Sequence, residues 1–177
     1  MTSNQGDFPD GLEEWHSRRR GSLHHHASVV SIIVLGSVLT AAVAGWLGGH
    51  GASTFTISSP QADLSVTTPT TLRNGVFYET RIAITPKQDL SDLVLAVDAS
   101  LWRDITQNSM IPAAEEETAQ DGAYRYGFGA VKAGETLDVK IDSQINPSLF
   151  AGNKGKVALY DGDQRLVGTE VRMRVLP

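Results

Sequence analysis

The chain has 177 residues, with 20 acidic and 15 basic side chains, a formal net charge of −5 and no cysteine. One folded domain with a short appendage suits that length, and the missing thiol excludes a disulfide-stapled fold, a cysteine nucleophile, an iron–sulfur cluster and a thiolate zinc site. The mild acidity argues against a dedicated nucleic-acid-binding protein, which carries a basic excess on one face.

Residues 1–26 mix Gly, Ser, Asn, Asp and clustered charges without a sustained period, the composition of a disordered cytoplasmic tail. Arg18, Arg19 and Arg20 stand near its end and read as a topology signal. His24, His25 and His26 are adjacent and lack a second ligand group in the neighbouring sequence. They read as polar padding at a membrane boundary rather than a metal site.

Residues 27–47 carry no charged side chain and no proline. As a helix rising about 1.5 Å per residue, that stretch reaches about 31 Å, close to the thickness of a hydrocarbon core. The expectation is one transmembrane helix over 27–47, with Trp46 at the far interface. Three arginines precede the stretch and the first basic residue after it is Arg73, so the amino end is expected in the cytoplasm and the rest of the chain outside it. The location that follows is the cytoplasmic membrane, with a periplasmic or extracellular carboxy-terminal domain. A cleaved signal peptide ending in Ala42-Val43-Ala44 is the competing reading, opposed by an apolar run longer than a usual signal core. Ser37, Ala41, Gly45 and Gly49 recur every four residues, a spacing that lets helices approach closely in lipid.

Residues 48–59 read as a Gly-rich hinge followed by an edge strand, and residues 60–177 as the folded domain. Apolar residues now alternate: Phe55 with Ile57, Leu64 with Val66, then Val76, Tyr78, Ile82 and Ile84 on one face. Leu93, Leu95 and Val97 follow, then Tyr124, Tyr126 and Phe128, then Leu137, Val139 and Ile141. Val157 and Leu159 lead to Val171, Met173 and Val175. A period of two puts each set on one side of a pleated strand. Asn74-Gly75, Ala133-Gly134, the segment 153–155 and Asp161-Gly162 supply turn positions. About seven strands are expected if the pieces flanking Pro60 form one kinked edge strand. The predicted fold is an all-β, immunoglobulin-like sandwich, with a small barrel as the alternative. Arg172 and Arg174 suit a final edge strand protected against aggregation.

The runs 76–85 and 93–99, the turn and strand from Lys132-Ala133-Gly134-Glu135 to Asp142, and the closing strands resemble bacterial extracytoplasmic immunoglobulin-like modules of the CARDB or fibronectin type III kind. The resemblance implies a sandwich used for binding or spacing, with no shared active site to carry over. Membrane-anchored copper-delivery proteins share a span and a similar sandwich, but their metal ligands are cysteines, which this chain lacks.

All five histidines lie at or before His50, so the domain has no Ser–His–Asp triad, no Cys–His dyad and no histidine zinc site. No catalytic residue, metal or cofactor is expected, and a membrane-tethered enzyme is the least supported reading. The long connection 99–123 mixes Trp102, Arg103, Asp104, Met110 and Ile111 with an acidic run, Glu115, Glu116 and Glu117. Connections of that length are often functional, and Trp and Arg anchor interfaces, so these residues are the candidate partner-binding loop. The structural alternative is a helical turn of Leu101, Trp102 and Ile105 capping the core, with Ser100 as N-cap. Asp161, Gly162 and Asp163 read as a hairpin turn rather than a calcium loop. The segment 145–147 reads as a bridge between sheets, with Leu149 and Phe150 packed beneath it.

The functional expectation is a single-pass interaction or assembly module accessory to a membrane complex. Its partners would be the lipid bilayer and another membrane or periplasmic protein, not nucleic acid. The alternative is a ligand-binding module for cell wall, polysaccharide or a small molecule.

Overall fold

The computed structural model describes residues 22–47, 51–147, 149 and 151–177, with helix side chains from residue 28 onward. Arg18, Arg19, Arg20, Gly49 and Phe150 lie outside the described residues. The chain divides into two compact units, Met1–Ala44 and Gly45–Pro177.

In the first unit, helix α1 spans Ser22–Val43. It stops where Gly45 adopts a left-handed φ of 75°, a conformation that costs glycine nothing and ends many helices. Val29, Val30, Ile33 and Leu35 are all exposed, and at about 100° per residue they point around the whole circumference. The helix is therefore apolar on every side rather than along one stripe. Among the described residues, no helix is long and apolar enough to cross a membrane. Ser37 and Ala41 lie on α1, and Gly45 lies just beyond its end. The Ser37 hydroxyl donates to the Ile33 carbonyl at 2.7 Å, within the helix itself.

The second unit is all β among the described residues. Its strands are β1 (Ala52–Ser58), β2 (Ala62–Pro69), β3 (Thr71–Arg73), β4 (Phe77–Pro86), β5 (Leu93–Asp98), β6 (Ile105–Ile111), β7 (Glu116–Gln120), β8 (Ala123–Gly127), β9 (Leu137–Ile145), β10 (Asn153–Asp161) and β11 (Gln164–Leu176). One sheet has the order β1-β2-β4-β9-β6 and the other β3-β11-β10-β5-β8-β7. The short β3 runs parallel to the end of β11.

Alternation builds the core. Leu64, Val66, Ile82, Ile84, Val139 and Ile141 point inward from the first sheet, and Leu93, Leu95, Val97, Val157, Leu159 and Val171 from the second, all nearly or wholly buried. Polar partners on the same strands stay outside, as Asp138, Lys140 and Asp142 do on β9. A side chain of this kind stabilises the fold by about 1.5–3 kcal/mol when fully buried.

The strand count exceeds the expected seven for identifiable reasons. Pro60 does not kink one strand but sits in a turn between two, so that Ser58 pairs with Asp63 and Ala52 with Pro69. The Ser59 hydroxyl accepts the Gln61 and Ala62 N–H groups there, a local hydrogen-bonding habit of serine that favours turns. The connection 99–123 is not one loop, since about half of it forms β6 and β7. Residues 153–155 begin β10 instead of making a turn. The reversal falls one step earlier, at Ala151 and Gly152, both with positive φ. Finally, β11 is a covered strand at Arg174, which pairs with Thr71, rather than an edge throughout. The bridge expected at 145–147 does link the sheets, and Leu149 is buried beneath it.

Candidate functional site

The turn between β5 and β6 crosses from one sheet to the other. It is built from two successive tight turns, closed by Leu101 N–H to the Asp98 carbonyl at 2.9 Å and Ile105 N–H to the Trp102 carbonyl at 3.2 Å. No helical turn forms here. Ser100 is not an N-cap, because its hydroxyl donates to the Lys154 carbonyl at 2.9 Å. Leu101 is buried in the core as expected. Gly155 makes this approach possible, since a Cβ there would collide with Leu101 and Asp98.

Trp102 is half-buried and packs on two tyrosines. Its ring lies 5.9 Å from Tyr124 in a stacked arrangement and 5.6 Å from Tyr126 edge to face. Contacts of this geometry contribute about 0.5–1.5 kcal/mol beyond the area they bury. The Tyr126 hydroxyl hydrogen-bonds Gln107 Oε1 at 3.2 Å. Burial pushes the Tyr126 phenol up, and the Gln107 hydrogen bond pulls it the other way. Asn153, almost fully buried, donates to the Leu101 carbonyl at 3.2 Å and accepts from Arg103 Nη2 at 3.3 Å.

The structure separates the candidate residues into two groups. Trp102, Arg103 and Asp104 share the turn, and the exposed Arg103 and Asp104 approach each other at 3.8 Å. Met110 and Ile111 lie at the opposite end of β6, about 20 Å away at the rise of a strand. Met110 packs against the core, while Ile111 is 62% exposed. Glu116 and Glu117 sit on the exposed edge strand β7.

Elsewhere several charged groups are engaged within the fold. Asp161 Oδ1 accepts from the Ser91 N–H, the Ser91 hydroxyl and the Asp92 N–H at 3.0, 2.9 and 2.9 Å, so it locks the 161–163 hairpin to the start of β5. Arg125 lies 4.8 Å over the Tyr160 ring and donates to the Gly162 carbonyl at 2.7 Å. It forms the floor of an outer cleft of about 190 Å³ that Glu116 and Asp163 also line. Between the sheets a cavity of about 20 Å³, bordered by Thr68, Tyr78 and Thr80, has room for one water. Among the described residues no cluster of three or more His, Cys, Asp or Glu side chains is arranged to hold a metal ion.

Sequence reasoning missed a basic groove of about 360 Å³ formed where β10 begins and β11 ends, lined by Gly152, Asn153, Lys154, Arg172, Met173 and Arg174. Register creates it, because Lys154 pairs with Arg172 across the two strands. The alternation of Arg172 and Arg174 was the visible signal.

No protein-family model matches the chain. No curated protein matches it either. Among solved structures it is similar to CaCohA2 from Clostridium acetobutylicum, at 14% identity over 63% of this chain and 81% of that one, with a TM-score of 0.40. It is also similar to a non-cellulosomal cohesin from the hyperthermophilic archaeon Archaeoglobus fulgidus, at 8% identity over 72% and 93%, with a TM-score of 0.36. A FixG-related protein from Vibrio parahaemolyticus gives 12% identity over 73% and 100%, with a TM-score of 0.33. Likenesses this distant leave the fold to rest on the strand pairing above, and they say nothing of function.

Proposed function

We propose that the chain is a membrane-anchored interaction module. The apolar segment holds it in a cytoplasmic membrane with the amino end inside, and the immunoglobulin-like sandwich meets a protein partner on the other side. The observation that carries this reading is the helix that exposes large apolar side chains around its whole circumference. Such a surface requires an apolar cover, and lipid covers every side at once. Within α1 the charge-free run covers 27–43, close to the shortest run, about 17 residues, that spans a bilayer.

The role is binding rather than catalysis, because the domain beyond His50 has neither histidine nor cysteine. The surface offered to a partner is the turn of Trp102, Arg103 and Asp104 together with the exposed Tyr124 ring beside it. An aromatic corner stiffened by stacking loses little entropy on binding, as interface anchors require.

A photo-crosslinking residue placed at Tyr124 in native membranes tests this. The expected result is one discrete protein adduct, absent when the crosslinker stands at Ser65 on the outer face of the first sheet. Equal labelling from both positions, or capture of glycan alone, would overturn the protein-partner reading.

A further inference from the structure

Charge is distributed unevenly along the sandwich. The end where β1 begins carries Arg73, Arg103, Lys154, Arg172 and Arg174 together with Asp98, Asp104 and Asp121, so its charges largely balance outside the groove. The opposite end carries Asp63, Asp89, Asp92, Glu115, Glu116 and Asp163 among its carboxylates. Contacts trace the basic groove to the start of β1: the Ser53 hydroxyl lies 3.5 Å from the Thr70 hydroxyl, and Arg174 N–H donates to the Thr70 carbonyl at 2.8 Å. Beside them, Arg73 Nε donates to the Leu47 carbonyl at 2.8 Å. The groove that holds Lys154, Arg172 and Arg174 has no carboxylate among its described lining residues. The nearest is Glu170, 3.7 Å from Arg172 on the same strand.

We propose that the groove of Lys154, Arg172 and Arg174 docks on an anionic lipid surface and seats the sandwich on the bilayer. The inference rests on the membrane-anchored reading above. Two observations choose lipid as the occupant. The groove is positive where anionic headgroups are negative, and basic side chains near such a surface are attracted to it within a Debye length. The chain also joins the groove's end, and not the acidic one, to the apolar segment, with four residues between Leu47 and Ala52. Four residues span at most about 14 Å, so the start of β1 is tethered a short chain length from the apolar segment.

The absence of cysteine makes the test direct, because one introduced thiol labels uniquely. The full chain is reconstituted in nanodiscs of phosphatidylcholine, with or without phosphatidylglycerol, that contain a headgroup quencher. A fluorophore is attached at Ser100→Cys, beside the groove, or at Ala133→Cys, at the acidic end. Quenching at position 100 should rise when phosphatidylglycerol is present, and position 133 should not respond. Charge reversal at Lys154→Glu, Arg172→Glu and Arg174→Glu should return position 100 to its phosphatidylcholine value. So should roughly 1 M salt acting on the unmutated groove, since the Debye length then falls to about 3 Å. Quenching independent of lipid composition, as an acidic protein occupant would give, overturns the docking proposal alone. Failure of the chain to enter the discs at all overturns the anchor together with it.

Discussion

Asn153 Nδ2 donates to the Leu101 carbonyl at 3.2 Å, so the first residue of β10 fastens the turn that presents Trp102. Its own oxygen accepts from Arg103, and the side chain is almost wholly buried. A polar group in that position has no water to return to, so its hydrogen bonds decide whether the turn is held.

Asn153→Ala should therefore leave buried carbonyl groups unsatisfied and lower stability by about 1–3 kcal/mol. Urea denaturation followed by circular dichroism measures it. An unchanged midpoint would mean that the turn is held by Trp102 stacking alone.

Burial separates two apolar residues that sequence alone treats alike. Leu95 is fully buried and Ile111 is 62% exposed. Leu95→Ala should cost about 2–5 kcal/mol, whereas Ile111→Ala should stay within about 0.5 kcal/mol. Similar losses at both sites would contradict the inward and outward assignment of β5 and β6.

Tyr78 makes stability sensitive to alkali. Burial pushes its phenol up to about 12, with the nearby Ser143 hydroxyl opposing the shift. An unfolded tyrosine ionises near pH 10. The folded state therefore keeps its proton longer, and its advantage is complete below about pH 10 and lost as pH rises through the folded value. Tyr78→Phe should flatten the decline in that window, while leaving the smaller contribution in the same direction from Tyr126. Denaturation midpoints measured across that alkaline range check this, and an unaltered slope would show that Tyr78 is already ionised or exposed.

The two faces of β4 and β9 were legible because strict alternation, as in Leu137, Val139 and Ile141, admits one pleated reading, whereas β5 is apolar and buried on both faces, Val94 and Ala96 included. Gly75, Gly134 and Gly162 were legible as turns and do adopt positive φ. Other elements were hidden for physical reasons. In β6 a register shift between Gln107 and Ser109 breaks the alternation. The strand β7 is exposed along its whole length, so no apolar face announces it. The short β3 is set by pairing with β11, which no local pattern encodes. The candidate loop was recognised by composition, yet its split into a fixed aromatic turn and a distant Ile111 follows from β6 being extended. The basic groove needed the Lys154 and Arg172 register, a relationship between strands that sequence spacing does not carry.

The central claim is that the apolar helix anchors the sandwich in a membrane. Alkaline carbonate extraction of membranes containing the full chain tests it most directly, with Leu35→Arg as the comparison, a change that costs about 2.5–3.5 kcal/mol at the centre of a span. The full chain should remain in the membrane pellet, and Leu35→Arg should shift a large fraction into the supernatant. Release of the unmutated chain into the supernatant would contradict the claim.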